Sequence, residues 1–225
     1  MMSSPTSQRI RKLPEERRAE ILSEAANIAL AEGLERITLR AVADRLGVRP
    51  GLISHYYPAA EDLVIAAFVL AVSEEREELF PADGDPVARL AHLVSRMEGD
   101  GAFELTRLWL NARHLCRFSP ALAEALEHQE HLDRQRLTSL IEDGMATGDF
   151  TVGDPLAACV RIFVAIDGVG AYVNNTQAFT HEAFTHFVSD VAEWSLGMRA
   201  GELRTAVDQV SGGDVRAKAK DDAGR

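Results

Sequence analysis

Residues 38–57 read TLRAVADRLGVRPGLISHYY and decide the fold of this 225-residue chain. Apolar residues in the first half recur at i, i+3, i+4 and i+7, which predicts a short helix with one buried stripe. Thr38 precedes this helix as an N-cap, and Gly47 follows it, where a left-handed backbone costs glycine little. A second helix can begin near Arg49 or Pro50, because proline is tolerated in a first helical turn. The segment therefore predicts two short helices joined by a tight turn.

This pattern is that of a helix-turn-helix motif, whose second helix enters the major groove of DNA. Val48, Ile53 and Tyr57 are expected to face the first helix, which leaves small, polar and aromatic residues facing outward. Hydroxyl and aliphatic groups suit base edges, whereas imidazole and phenol groups suit phosphates. Each residue could singly be an ordinary surface or packing residue, but their shared face favours contact with DNA. The candidate DNA-binding residues are Thr38, Arg40, Arg49, Pro50, Gly51, Leu52, Ser54, His55 and Tyr56.

The residues before the motif predict an amphipathic helix and a basic arm. Residues 14–32 have apolar residues at core spacing, a proline at the start and two glutamates in the first turn. The preceding flexible arm, 1–13, carries Arg9, Arg11 and Lys12, which could enter a minor groove or lie along phosphates. A frayed terminus without a DNA role is an equally good interpretation of these three residues.

The run RRAEILSEAANIALAEGLERITLRAVADRLGVRPGLISHYYPAAEDLVIAAF resembles the N-terminal domain of the TetR family of one-component transcriptional regulators. The resemblance covers residues 14–68, and GLISHYY is most similar to the choline-responsive BetI-type branch of the family. It implies an Ω-shaped, all-helical homodimer whose larger C-terminal domain binds a small molecule that changes DNA affinity. Many members carry a lysine at the start of the fourth helix, where this chain has Pro58-Ala59-Ala60. One phosphate contact is therefore expected to be absent, so operator affinity is expected to depend more on the N-terminal arm and on Arg36, Arg40 and Arg49.

The charge of the chain divides between its two parts. The formal net charge is −11. Residues 1–60 contain nine Lys or Arg and seven Asp or Glu, a balance of +2, whereas the remainder has a balance of −13. An acidic remainder repels phosphate and disfavours indiscriminate binding to DNA, so the overall charge is compatible with a specific DNA reader.

The sequence favours a cytoplasmic protein without a membrane segment. Residues 1–20 are too polar to contain the apolar region of a signal peptide. The longest apolar run, 63–72, is about half the length of a membrane span. Cys116 and Cys159 are expected to be buried and reduced, with a redox-sensing Cys116 as the less favoured alternative.

The rest of the chain predicts further helices and no strands, because proline, glycine and aspartate interrupt helical patterns without any alternating pattern. With four helices upstream, the total is about nine. The expected fold is all-α: a three-helix helix-turn-helix DNA-binding domain, 14–60, followed by a helical effector-binding and dimerisation domain, 61–200. Residues 201–225 are small, charged and aperiodic, which predicts a disordered tail. The predicted later helices lie near 86–98, 102–117, 120–146, 155–174 and 181–197.

The last two predicted helices are candidates for a homodimer interface. Both carry broad apolar faces, and two such helices from each protomer can form a two-fold four-helix bundle. A buried helix pair within a monomer is the alternative. A dimer is favoured, because its two-fold symmetry matches a palindromic operator. The candidate dimerisation residues are Ile162, Ile166, Gly170, Phe184, Val188 and Val191.

The helix predicted over 102–117 mixes polar and aromatic residues on a segment expected to be enclosed, which favours a ligand pocket. If the resemblance extends to the ligand, Trp109 or Tyr172 could face a quaternary ammonium group, with Glu104 or Asp167 balancing its charge. Aromatic residues at helical spacing are, however, more often core residues. The candidate ligand-binding residues are Phe103, Glu104, Trp109, Arg113, His114, Phe163, Asp167 and Tyr172.

An enzyme or metal protein is the competing class. Glu127, His128, Glu130 and His131 cluster, but the stretch EHQEHLDRQR is polar on all sides, which favours a solvated face over a metal site. No nucleophile elbow, P-loop or dinucleotide motif is present, so no catalytic residue and no cofactor are expected. The expected function is a homodimeric, ligand-released repressor on a palindromic operator. The alternative is a helical small-molecule- or metal-binding protein or enzyme.

Overall fold

The computed structural model describes residues 13–99, 103–177 and 179–222, with side chains up to residue 212. Within these ranges the chain is all-helical, as predicted, and it divides into two compact units after Leu70. The basic arm lies, apart from Leu13, outside the described residues. A short 3-10 turn spans Leu34–Arg36. The α-helices are α1 Pro14–Glu32, α2 Leu39–Leu46, α3 Pro50–Tyr56, α4 Ala60–Leu79, α5 Pro86–Glu98, α6 Phe103–Leu115, α7 Pro120–Thr147, α8 Pro155–Gly170, α9 Glu182–Thr185, α10 Phe187–Leu196 and α11 Glu202–Asp222.

The first unit is built around the turn between α2 and α3. The Thr38 hydroxyl accepts a hydrogen bond from the Ala41 N–H at 3.0 Å and caps α2, as predicted. Gly47 ends α2 with a left-handed backbone, φ 63° and ψ 35°. The Val48 N–H then donates to the Ala43 carbonyl at 2.9 Å, which closes the turn and directs the chain into α3. The capping groups thus fix the angle at which α3 leaves α2.

The second unit buries the apolar faces of its long helices in one core. Three of these helices begin with proline directly after a polar N-cap: α5 after Asp85, α7 after Ser119 and α8 after Asp154. Each cap side chain accepts a backbone N–H of the first helical turn at 3.0–3.1 Å. The largest side chains in the core include Leu90, Leu93, Leu108, Leu137, Leu140 and Ile141.

The helix predicted over 181–197 is broken at His186 into α9 and α10. The break is stabilised from another helix, because Glu98 at the end of α5 accepts both the Ser189 N–H at 2.9 Å and the Ser189 hydroxyl. A carboxylate at this point satisfies the first turn of α10. Burial raises the pKa of the Glu98 carboxyl, against the opposing effect of the hydrogen bonds from Ser189.

The predicted disordered tail is wrong from Glu202 onward, where the chain continues as α11. Leu203 and Val207 are buried one turn apart. Glu193 on α10, itself almost fully buried, accepts the N–H groups of Gly201 and Leu203, each at 2.8 Å, and so caps the new helix. Because the apolar pair is isolated in a polar sequence and the cap comes from another helix, local periodicity did not indicate this element. With α11 and the broken helix, the described residues form eleven α-helices instead of about nine.

None of the described helices is by itself long and apolar enough to cross a membrane, although α3 and α4, bent by 74°, pass that test as a pair by length and composition.

Candidate functional site

The short helix α3 presents the predicted DNA-binding residues on its outer surface. Ile53 and Tyr57 are buried against the first unit, as predicted, and Val48 is half-buried. The other residues of α3 and the N-cap residues of α2 and α3 are at least partly exposed, so a partner can contact them. Thr38, Arg40, Arg49, Pro50, Gly51 and His55 are exposed, whereas Leu52, Ser54 and Tyr56 are half-buried.

Charged and aromatic contacts hold the motif on α1. The Arg18 guanidinium lies 4.8 Å from the centroid of the Tyr57 ring, which fixes the C-terminal end of α3. On the other side, Arg45 of α2 donates to Glu24 at 3.2 Å and to Glu32, both on α1. These contacts hold the orientation of α3 relative to α1, so its outer face is a preformed surface.

The electrostatics of this surface suit an anionic partner. The sequence of α3, PGLISHY, contains no carboxylate. The sequence of α2, LRAVADRL, contains one acidic residue, Asp44, which lies 3.7 Å from Arg40 in an exposed ion pair. Arg36, two residues before the motif, and Arg49, the residue before α3, are both exposed. The surface can therefore contact phosphates without a facing row of acidic side chains.

A cavity of about 260 Å³ lies inside the second unit. Its wall is mostly apolar, with a charged section at one side, which is the usual composition of a small-molecule site. The wall residues are Leu79, Phe80, Leu93, Met97, Leu105, Thr106, Trp109, Leu110, Arg113, Glu130, Asp133, Arg134, Val160, Phe163, Val164, Ile166, Asp167 and Gly170.

Half of the predicted ligand-binding residues lie in this wall. Trp109 and Arg113 line it from α6, and Phe163 and Asp167 from α8. The other four residues lie outside this wall and stay predictions. Three of them are on other faces of α6. The fourth, Tyr172, follows the end of α8 at Gly170, and its ring packs on Phe179 and Phe184. The four residues are Phe103, Glu104, His114 and Tyr172.

Arg113 connects three helices at the charged section of the wall. Its guanidinium donates to Asp167 on α8 at 2.9 Å and to Glu130 on α7 at 3.2 Å. The same guanidinium lies 5.6 Å from the centroid of the Trp109 ring, one turn earlier on α6. A single side chain thus neutralises two carboxylates and contacts an aromatic face.

The polar stretch of α7 was expected to be a solvated face, and this expectation is wrong for Gln129, which is 4% exposed, while Glu130 and Asp133 are half-buried. Gln129 is buried, and its side-chain oxygen accepts a hydrogen bond from the Arg76 guanidinium of α4 at 2.8 Å. Asp133 also accepts a hydrogen bond from Arg76. Asp133 and Glu130 both line the cavity. Burial raises the pKa of the Asp133 carboxyl, although the charge of Arg76 acts in the opposite direction. Their partners come from distant helices, so no signal in α7 itself indicated the burial.

Within the described ranges, no three His, Cys, Asp or Glu side chains are grouped so that they could hold a metal ion. Cys159 is buried, Cys116 is half-buried, and both are free thiols.

The predicted dimerisation residues divide between the core and the surface. Ile162 and Val188 are 0% and 1% exposed, so they belong to the core of the protomer and cannot contact a partner. Ile166 and Gly170 line the cavity, where a Cβ on Gly170 would come within 2.9 Å of Thr106. Phe184 and Val191 are half-buried. The exposed apolar residues of the same two helices are instead Leu156, Val160 and Val164 on α8 and Phe187 and Trp194 on α10.

Comparison with known proteins agrees with this architecture. Residues 21–67 match the family of bacterial regulatory proteins, tetR family. No curated protein sequence matches the chain. Among solved structures, a transcriptional regulator from Saccharomonospora viridis in complex with choline has a TM-score of 0.67 at 19% identity, over 80% of this chain and 96% of that one. A TetR-family regulator from Rhodococcus sp. has a TM-score of 0.67 at 21% identity, over 81% and 99%.

A third structure, GusR of Salmonella enterica, has a TM-score of 0.65 at 20% identity, over 83% of this chain and 98% of that one. At these identities the similarity establishes the fold and leaves the ligand open, because unrelated ligands occur on one fold. Residues 21–67 therefore form a helix-turn-helix domain of the tetR family, within a chain whose described residues are all-helical and have the fold of TetR-type transcriptional regulators.

Proposed function

We propose that this chain is a transcriptional repressor that binds its operator through α3 and releases it when a small molecule occupies the cavity of the second unit. The observation that carries the proposal is the carboxylate-free outer face of α3 on a tetR-family domain. Thr38, Arg40 and Arg49 flank this face and are exposed. They would contact phosphates while the small residues of α3 approach base edges in the major groove. The place of action would be the cytoplasm.

The proposed repressor acts as a homodimer through the exposed apolar face of α8 and α10. Trp194 is 71% exposed and Leu156 is 55% exposed in the protomer, and neither lines the cavity. Large exposed apolar groups on two helices that pack together support an interaction surface. A second copy on this face would give the two-fold symmetry that a palindromic operator requires.

The cavity supports the ligand-responsive part of the proposal. Its wall includes Leu79 and Phe80 at the C-terminal end of α4, and α4 begins at Ala60, directly after the helix-turn-helix. A ligand that binds one position of α4 better than another would shift the population of DNA-binding conformations. The similar structure from Saccharomonospora viridis contains choline, which shows that this fold can hold a small molecule.

The test is retardation of DNA from the region upstream of the gene that encodes the chain. Retardation that resists competitor DNA and weakens steeply with salt is the expected result. A folded dimer that retards this DNA no better than unrelated DNA would contradict the proposal. It would instead favour the runner-up, a helical small-molecule-binding protein, which the cavity also permits.

A further inference from the structure

The cavity already contains a cation of its own, the Arg113 guanidinium. We propose that the cavity consequently selects an uncharged, largely apolar ligand and rejects organic cations, with Arg113 as the residue that determines this selectivity. The inference concerns the cavity that the proposed function uses as its effector site. Its test contains no DNA, so its failure and the failure of the DNA-binding proposal are distinguishable.

Arg113 already contacts the two groups of the wall that would attract a cation, the Trp109 ring and the Asp167 carboxylate. An organic cation binds where an aromatic face and a carboxylate lie together. Here the Arg113 guanidinium carbon lies 5.6 Å from the Trp109 ring centroid, and its Nη1 lies 2.9 Å from Asp167 Oδ1. A ligand cation would have to displace Arg113 from both, and the displaced guanidinium would remain beside it as a like charge.

The other carboxylates of the wall are also paired with arginines of the protein. Glu130 accepts from Arg113 Nη2 at 3.2 Å and lies 3.7 Å from Arg134. Asp133 accepts from Arg76, which is 5% exposed. Each acidic side chain in the described wall therefore has a cationic partner before any ligand enters.

Anions are disfavoured for the complementary reason. The wall contains two guanidinium groups, those of Arg113 and Arg134, and three carboxylates, those of Glu130, Asp133 and Asp167. An anionic ligand at Arg113 would compete with two of these carboxylates and would be repelled by all three. Charged ligands of either sign thus break existing ion pairs in a partly desolvated place, whereas a neutral one does not.

The remaining wall suits a neutral, apolar molecule. It is formed by aliphatic and aromatic side chains, with the Thr106 hydroxyl as a neutral polar group. Burying apolar ligand surface against such a wall stabilises the complex, because that surface is removed from water. The volume of about 260 Å³ sets the size of the part that can be enclosed.

Three aromatic probes of different charge test the selectivity of the full-length protein. N-phenyl-1-naphthylamine is neutral, 8-anilinonaphthalene-1-sulfonate is its anionic counterpart, and phenyltrimethylammonium is a compact cation. Fluorescence titration should show the neutral probe binding at least about tenfold more tightly than the sulfonate, and phenyltrimethylammonium should not displace it. Equal affinity for the two fluorescent probes, efficient displacement by the cation, or no binding of the neutral probe would overturn the proposal.

The substitution Arg113→Leu tests the assigned residue by a gain of binding. It leaves Asp167 without this guanidinium beside the Trp109 ring, so phenyltrimethylammonium should now displace the neutral probe, with affinity raised at least about tenfold. The matched control is Arg107→Leu, which removes the same charge from α6 at an exposed residue that bonds Asn174 and lies outside the wall.

A folded Arg113→Leu protein that still rejects the cation would overturn the assignment. Should this variant not fold, Arg113→Gln keeps a hydrogen-bonding side chain and removes the charge, and the same gain is expected. The selectivity of the wild-type protein for the three probes decides the ligand class in either case.

Discussion

Asp133 on α7 accepts a hydrogen bond from Arg76 on α4 while it also lines the cavity of the second unit. Arg76 is almost fully buried and additionally donates to the backbone carbonyl of Gln129 at 3.2 Å. A single carboxylate therefore belongs both to the place where a ligand would bind and to the link between α7 and α4. Because α4 begins at Ala60, directly after the helix-turn-helix, we propose this pair as the point at which cavity occupancy would act on the proposed DNA binding.

We expect Asp133→Asn to destabilise the protein by about 3 kcal/mol, because removing one partner leaves the Arg76 charge buried and incompletely compensated. The control is Glu77→Gln, which breaks the exposed pair between Glu77 and Arg136, also between α4 and α7, at 2.7 Å. That substitution should change the free energy of unfolding by less than about 0.5 kcal/mol. Urea denaturation measures both, and equal losses would show that Asp133 has no special anchoring role.

The double substitution His55→Ala and Tyr56→Ala should abolish operator retention while the protein stays folded and keeps its oligomeric state. Both side chains lie on the outer face of α3, with their ring centroids 5.2 Å apart in an edge-to-face arrangement. Gel retardation measures the loss, and circular dichroism checks the fold. Asn27→Ala, at an exposed residue of α1 outside the predicted contact set, should leave retention intact. Retention by the folded double variant would remove α3 as the reading helix.

The helix-turn-helix could be predicted from sequence because the information that specifies it is local. The Thr38 cap, the apolar stripe of α2 and the left-handed Gly47 all lie within one short segment. The structure shows the cap and the left-handed glycine in their predicted roles, and it buries Val42 and Ala43 of the stripe. An N-cap, an apolar stripe and a left-handed glycine follow from residue type and helical periodicity, and both can be recognised in a single sequence.

The cavity could be predicted only in part, because its wall depends on pairs of residues far apart in sequence. Trp109 and Asp167 were found by their residue types, whereas Glu130 and Asp133 were assigned to solvent by the polarity of their neighbours. Their burial depends on arginines from α4 and α6, and hydropathy cannot show such partners. The predicted dimerisation residues include core residues for a related reason, since periodicity does not distinguish the two apolar sides of α8.

Trp194→Glu should convert the proposed dimer to a monomer, because the interface would lose this 71% exposed ring and would have to desolvate a carboxylate, even with the Arg161 guanidinium, 5.2 Å from the ring centroid, as its neighbour. Phe118 offers a matched control, since its side chain is also 71% exposed but lies between α6 and α7. Sedimentation or light scattering should give the monomer mass for Trp194→Glu and the dimer mass for Phe118→Glu. Operator affinity should fall with the loss of the dimer. An unchanged mass for Trp194→Glu would place the interface elsewhere.

The Glu98 carboxylate gives the protein a pH dependence with a definite sign. Burial raises its native pKa above the ordinary value, so the native state holds this proton more tightly than the unfolded chain does. The contribution of Glu98 to stability is therefore fully present below the unfolded pKa and is lost as the pH rises through the native pKa.

We expect Glu98→Gln to remove this dependence, because a side-chain amide oxygen can still accept from Ser189 and carries no charge to desolvate. The free energy of unfolding, followed from about pH 4 to about pH 7, should decline less for the variant than for the wild-type protein. The comparison requires Glu127→Gln, which removes an exposed carboxylate from α7 and should retain the wild-type slope. Parallel curves for all three proteins would mean that desolvation of Glu98 contributes nothing measurable. A steeper decline in Glu98→Gln would mean that the ionised carboxylate, held by Ser189 and the first turn of α10, is the more stable native form.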